Sequence, residues 1–304
     1  MKESKSKKPI FIIIGVVVGL AIVGLVLFFV LGGEKSYRLL KVFEVEGKAS
    51  VTRDGTGTIE PYTNMVLESG DRCALDTGKF TIKADEDKYI YLEDHTELVL
   101  VATGSSSASK TKIELISGGI TNDIQNKLSV DSSYEVNTPN STMSVLGTIF
   151  YVSVYEKDGV KYTKISVFSG RVTTRLKYDD GTYSDEEVIV ESGKETIIYY
   201  DGKVTDYVGD PSDIDYGELP EQALQLLADI AEEGREISIT SEELDHLLYG
   251  PYEVVFMYQG AEFGRQTVKK GEKVKIPDLQ PEATGEWNYN FDEPVNKDLE
   301  IDWK

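Results

Sequence analysis

Hydrophobic positions along this chain fall into four regimes. Ile10–Leu31 (IFIIIGVVVGLAIVGLVLFFVL) is an unbroken apolar run without a charge. As a helix at ~1.5 Å per residue it reaches about 33 Å, enough for a hydrocarbon core of ~30 Å. From Val42 to about Val208 apolar and polar residues alternate, as in Thr148–Tyr155 (TIFYVSVY) and Tyr162–Phe168 (YTKISVF). That period of two predicts half-buried strands. Around Gly217 the period changes. Ala223, Leu226, Leu227 and Ile230 follow i, i+3, i+4, i+7 spacing, one apolar face of a helix. Short strand candidates then return at Tyr252–Tyr258, Gln266–Val268 and Lys273–Ile276, with Pro277, Pro281 and Pro294 between or after them.

Turn signals punctuate the alternating region. Asp-Gly pairs at 54–55, 158–159, 180–181 and 201–202 supply the positive φ angles of tight hairpin turns. Ser-Gly recurs at 69–70, 117–118, 169–170 and 192–193, each at a strand junction, where a glycine lets the chain turn a corner that a β-carbon would block. The spacing of these pairs is irregular, which predicts layered or rolled sheets rather than a strict repeat. Gly104–Ser109 (GSSSAS) reads as an exposed loop. In the helical stretch Pro220 fits a first helical turn. Thr240 and Glu243 have the spacing of a capping box in front of a second helix, Ser241–Leu248. Trp287, Phe291 and Trp303 are candidates to fill a small core in the last segment, which is too short to be stable without docking on its neighbours.

Flanking charge gives the apolar run an orientation. Lys2, Lys5, Lys7 and Lys8 precede it with Glu3 as the only acid, and Lys35, Arg38 and Lys41 follow. This modest bias favours a cytoplasmic N-terminus. A cleaved signal peptide is the competing reading. Its apolar region would be ~7–15 residues and would end in a small-x-small site, whereas this run is longer and ends Phe28-Phe29-Val30-Leu31-Gly32-Gly33. The chain carries a net charge of −21. With the tail's net +3 removed, the remainder carries −24. That excess of acid argues against nucleic acid and against tight binding to anionic lipid. Cys73 is the one cysteine, so no intramolecular disulfide forms; its apolar-alternating context makes it a small core residue.

Candidate chemistry is sparse. His246 with Glu242 has i, i+4 spacing, but ordinary helices show the same pattern, and His95 falls at a turn. The acidic runs Asp85-Glu86-Asp87, Asp179-Asp180 and Asp185-Glu186-Glu187 lack the spacing of a calcium loop. No phosphate-binding glycine loop or nucleophile turn occurs. No catalytic residue, metal site or cofactor is predicted. Asn140-Ser141-Thr142 is formally a glycosylation sequon.

The stretch Thr138–Val152 (TPNSTMSVLGTIFYV) resembles the signature of the FecR-domain family: a Thr-Pro turn, small residues, Gly-Thr, an apolar pair and an alternating strand. Its motif residues here are Thr138, Pro139, Gly147, Thr148 and Phe150. Weaker pieces agree in order over about residues 42–205, including Leu67–Thr77 and Leu92–Leu100. There are departures, among them Asp94-His95 where the family often has Asp-Gly. Only about eight residues precede the apolar run. That is too few to fold, so a cytoplasmic sigma-binding region, which founding members carry, is not expected. The resemblance implies an extracytoplasmic all-β sensing or scaffolding module. The last segment is similar to the internalin-type B-repeats of bacterial surface proteins, through Val254-Val255-Phe256, Gly271, Ile276-Pro277, Gly285, Trp287 and Ile301-Asp302-Trp303. That similarity implies a small β-grasp-like module.

The expected architecture is mainly β: a cytoplasmic tail (1–9), a transmembrane helix (10–32), an elongated roll or sandwich-like FecR-type domain (40–208), a helical linker (218–249) and a small β module (251–304). The expected function is a single-pass, membrane-anchored bacterial surface protein, non-enzymatic, that binds an extracytoplasmic protein or cell-wall partner. The alternative is a sensing accessory of a transmembrane signalling system. Gly15 and Gly19 form a small-xxx-small pair at which membrane helices can approach. If they are a helix–helix contact, replacing both with isoleucine abolishes self-association in a membrane two-hybrid assay; unchanged association removes that contact.

Overall fold

The computed structural model describes residues 38–105, 107–199, 207–278, 281 and 284–304. The run Ile10–Leu31, with Gly15 and Gly19, lies outside them, as does Asp201-Gly202. Among the described residues no helix is long and apolar enough to cross a membrane. The described chain is mainly β.

The alternating region forms one 15-stranded sheet creased into two layers. Its first strands are β1 (Leu40–Arg53), β2 (Gly57–Ile59), β3 (Arg72–Ala84), β4 (Lys88–Leu92), β5 (Thr96–Gly104) and β6 (Ser109–Ile124). There follow β7 (Ser133–Asn137), β8 (Ser141–Val145), β9 (Ile149–Lys157), β10 (Val160–Ser169) and β11 (Arg171–Leu176). The last are β12 (Val188–Glu191), β13 (Lys194–Tyr199), β14 (Tyr207–Val208) and β15 (Ser212–Asp213).

Three strands are long because each runs through both layers. β3 pairs with β5 over Arg72–Leu75 and with β4 over Phe80–Ala84. β6 pairs with β5 and, in parallel, with β7 before the crease, then with β4 and β9 beyond it. β1 follows β3 through both layers. One layer continues through β7, β8, β11 and β12, the other through β9, β10 and β13.

The crease is built from glycine. Gly47 of β1 faces Gly78 of β3, both at positive φ (84° and 119°). A β-carbon on either would run into the opposing backbone, at Thr77 and Glu46 respectively. Gly118 of β6 (φ 81°) lies so close to the β4–β5 turn that a β-carbon would sit 2.6 Å from Thr96 Cα and 2.8 Å from the His95 carbonyl oxygen. All four Ser-Gly glycines adopt positive φ, between 79° and 101°. Asp158-Gly159 turns β9 into β10 with φ of 53° and 76°.

Inward-facing residues of both layers, among them Ile82, Ile90, Leu98, Val136, Val152 and Ile165, make one core. Cys73 belongs to it, and burial pushes its thiol up to about 12. Ser109, expected in an exposed loop, is instead the buried first residue of β6; the turn is shorter than its composition suggests.

β9 and β10 are buried on both faces. Phe150 and Val152 point into the core, while Ile149, Tyr151 and Phe168 form a second apolar surface. Helices α1 (Glu221–Glu232) and α2 (Ser241–Tyr249) pack on that surface. The buried face of α1 is Ala223, Leu224, Leu227 and Ile230; Leu226, expected on that face, is only half-buried. The helix is rotated so that Leu224 takes the sheet-facing place. α2 starts with the capping box: Thr240 Oγ1 accepts from Glu243 N at 3.2 Å and Glu243 Oε2 from Thr240 N at 2.9 Å.

The last segment forms a three-stranded sheet of β16 (Tyr252–Tyr258), β17 (Ala261–Val268) and β18 (Leu299–Asp302). β16 is central, antiparallel to β17 and parallel to β18. Phe256, Trp287, Phe291 and Trp303 pack around it. Lys273–Ile276 does not form the expected strand. Only Lys273 makes a bridge, to Pro294, and Ile276 is exposed; neither Pro294 opposite nor Pro277 after the segment can donate to a ladder. Tyr252 donates its hydroxyl to the Leu247 carbonyl at 3.0 Å, and His246 Nε2 lies 3.0 Å from Asp298 Oδ2 rather than acting with Glu242. Residues 38–304 cluster as one compact unit.

The crease is testable by a pair of substitutions. Gly159→Ala strains only the backbone, since nothing lies near its β-carbon position, and costs about 1 kcal/mol. Gly118→Ala adds a collision with the backbone of the β4–β5 turn at His95 and Thr96 and costs roughly 3 kcal/mol or more. Urea unfolding followed by circular dichroism reads the difference; equal costs would show that the crease tolerates a side chain.

Candidate functional site

Of the motif residues, Thr138, Gly147, Thr148 and Phe150 tie or pack strands together, and Pro139 sits half-buried in the turn between β7 and β8. Thr138 and Asn140 lie in the turn between β7 and β8 and are buried. Thr138 Oγ1 is 2.8 Å from Thr163 Oγ1, and Asn140 donates to the carbonyls of Lys161 (2.8 Å) and Ile198 (3.1 Å), which stitches this turn to β10 and β13. The Asn140 amide of the formal sequon is thereby engaged. Gly147 (φ 119°) and Thr148 pack against Gly170, and Thr148 Oγ1 donates to the Arg171 carbonyl at 3.0 Å. Phe150 is fully buried in the core. His95 lies at the β4–β5 turn, exposed, 3.2 Å from Asp76.

The candidate site lies elsewhere, where α1 crosses the second layer. Two polar ties fix the helix there. Gln222 at its start donates to the Gly78 carbonyl at 3.1 Å. Just past its end, Arg235 forms a two-pronged ion pair with the buried Asp123 of β6, with Nη1 2.7 Å from Oδ2. Between these ties a cleft of about 180 Å³ remains. Thr81, Tyr91, Glu93 and Thr121 line it from the sheet, and Gln225, Leu226 and Asp229 from the helix. Glu44 and Lys79, 3.8 Å apart, stand at its rim.

Glu93 is the unusual member. The described residues include five buried carboxylates: Asp71, Asp85, Glu93, Asp123 and Glu195. Four have a cationic partner. Asp71 meets Arg53, Asp85 meets Arg38 and Lys88, Asp123 meets Arg235, and Glu195 meets Lys164. Glu93, 8% exposed, has neither a salt bridge nor a side-chain hydrogen bond within the described residues. Burial, with Asp94 adding repulsion, pushes its carboxyl up to about 7. Its charge in turn helps burial push the Tyr151 hydroxyl up to about 12. Thr121, fully buried on the same cleft wall, has a hydroxyl without a partner. A buried polar group left unmatched costs free energy; Thr121 Oγ1 shares this state with Asn122 Nδ2 and Trp303 Nε1 among the described residues, and Glu93 is the one of the five buried carboxylates that lacks a cationic partner.

Neither residue stands out in the sequence. Glu93-Asp94-His95 reads as a solvated acidic turn, and Thr121 as one polar position in an alternating strand. Their burial comes from a helix more than a hundred residues later. Among the described residues no group of three or more His, Cys, Asp or Glu side chains is placed to hold a metal ion.

Glu93 makes stability depend on pH. Its folded value of about 7 exceeds the ordinary 4.5, so between these values the folded chain binds the extra proton. Stability is full below about 4.5 and falls as pH rises to about 7. Glu93→Gln removes this loss. At pH 8 it stabilises the chain by on the order of 3 kcal/mol, and at pH 4 by little. Unfolding of both forms at the two pH values measures the difference; a pH-independent effect means Glu93 is not buried as described.

Comparison with known proteins gives limited likeness. None of the curated proteins matches the chain. Two crystal structures of a "putative anti-sigma factor" from Parabacteroides distasonis ATCC 8503 are loosely similar. One is 13% identical with a TM-score of 0.38, covering 65% of this chain and 83% of its own. The other is 11% identical with a TM-score of 0.36, covering 79% and 97%. Residues 74–173, which contain Glu93, Thr121 and the whole Thr138–Val152 stretch, match the family model described as FecR protein.

Proposed function

We propose that this chain is a membrane-anchored, non-enzymatic FecR-domain protein of a bacterial surface, whose β domain binds or scaffolds an extracytoplasmic protein or cell-wall partner. The observation that carries the reading is the order of parts: a charge-free apolar run at Ile10–Leu31, then a β unit with the FecR-matching segment inside it. Its acidic balance suits a solvated, exposed location. The B-repeat-like features of residues 251–304 support the same surface role.

The sensing alternative has one observation in its favour. Arg38, the first described residue, is locked into the sheet. It forms a fork to Asp85, with both bonds 2.8 Å, and donates to the carbonyls of Thr103 and Lys110 and to Thr111 Oγ1. A change in the sheet would therefore be transmitted directly to the chain entering it, since a buried bidentate pair is geometrically rigid.

Protease treatment of intact cells carrying tags at both ends tests the topology. The C-terminal tag is shaved and the N-terminal tag stays protected on a short membrane fragment. A C-terminal tag protected until the membrane is opened overturns both readings. With the topology established, crosslinking in intact cells recovers a partner that is lost when residues 38–304 are deleted.

A further inference from the structure

The cleft under α1 has the chemistry of a receptor for one kind of group. Its deep wall offers Glu93, an unpaired buried carboxyl, and Thr121, an unpartnered hydroxyl. Asp229 on the helix adds a second acid, while the rim's Lys79 is matched by Glu44. The balance around the cavity is therefore negative, and an anion is excluded. A divalent metal is disfavoured as well, because no set of three ligating side chains converges there among the described residues.

The remaining surface is apolar and narrow. Leu226 contributes from the helix and Tyr91 from the sheet, while Phe80 and Leu92 border the cleft with their backbone and turn their side chains into the core. This accounts for the half-buried state of Leu226: it points beside the sheet contact, toward the cleft. A volume of about 180 Å³ takes a slim group of roughly six heavy atoms, taking ~30 Å³ per water-sized unit.

We propose that this cleft binds a primary alkylammonium group, with Glu93 as counter-ion, Thr121 Oγ1 accepting one N–H, and the aliphatic stem lying against Leu226. Such a group supplies what both buried polar side chains lack: a positive charge and hydrogen-bond donors. The same chemistry arrives either as a small free amine or as the tip of a lysine side chain of a partner. The site belongs to residues 38–304 alone and stands whichever side of a membrane they occupy.

Binding is linked to protonation. The ammonium stays charged throughout the neutral range, so it pairs only with ionised Glu93. The charged or titratable groups facing Glu93 are Asp94 beside it, Tyr91 of β4, Tyr151 of β9, Glu44 and Lys79 at the rim and Asp229 on α1. Tyr91 and Tyr151 are pushed further up by burial and stay neutral. Glu93 itself, at about 7, sets the dependence, and affinity rises roughly tenfold from pH 6 to pH 8.

The test is calorimetric titration of the full chain in detergent with pentylammonium chloride and, separately, Nα-acetyl-lysine N-methylamide. Saturable one-to-one binding is expected at pH 8, with a dissociation constant in the range ~0.1–10 mM. It weakens about tenfold at pH 6 and is absent for sodium pentanoate. Glu93→Gln, which removes a buried charge and so folds at least as well, abolishes it. Thr121→Val weakens it severalfold while keeping shape. A stronger response to the lysine amide identifies a partner's side chain, and a stronger response to pentylammonium a free amine. No saturation with either probe at pH 8, or binding that survives Glu93→Gln, overturns the proposal. Neither result bears on the membrane topology, which the protease experiment decides separately.

Discussion

The close approach of backbones at Gly47, Gly78 and Gly118 governs the whole β domain. Strands β1, β3 and β6 each cross from one layer to the other at these points. The opposing chains come so near that a β-carbon has no room. A sheet creased in this way closes over its own inward face, so one set of strands makes a two-layer core without a second sheet. The buried polar stitching around Asn140, Thr163 and Thr138 serves the same end, satisfying backbone carbonyls where the β7–β8 turn meets β10 and β13.

Creasing leaves the outer face of β9 and β10 apolar, and that face requires a cover. Ile149, Tyr151 and Phe168 are shielded from water by α1 and α2. Each large side chain so buried contributes about 1.5–3 kcal/mol. The cover is incomplete where α1 passes over Glu93 and Thr121. Tied down by Gln222 and Arg235, the helix is held over the cleft instead of collapsing into it. An unpaired carboxyl persists there because the surrounding contacts fix the backbone on both sides. The local cost is on the scale by which functional sites depart from optimal packing.

The FecR-like signature and the candidate cleft thus have separate roles. Thr138, Gly147, Thr148 and Phe150 are conformational and packing residues, legible in sequence because a tight turn, a positive φ and an alternating strand each leave a local mark. Glu93 and Thr121 leave none. A glutamate beside Asp94 and His95 has the composition of a solvated turn, and nothing nearby in sequence announces the helix that covers it.

Features that depend on neighbours a few residues apart are written in the chain itself. They include the β character of the described residues between 42 and 208, the Asp-Gly turns at 54–55, 158–159 and 180–181, the four Ser-Gly glycines, the capping box at Thr240 and Glu243, and the burial of Cys73. Periodicity and backbone preference are local properties, so they are readable without the fold. Other features come from contacts that only folding creates. The rotation of α1, which buries Leu224 and turns Leu226 aside, arises from the shape of the sheet beneath it. The failure of Lys273–Ile276 to become a strand comes from having no partner able to complete a ladder. The burial of Glu93 was decided when α1 settled over β4 and β6. A carboxyl's environment is set by whatever comes within a few ångströms in space, and here that group arrives from far along the chain.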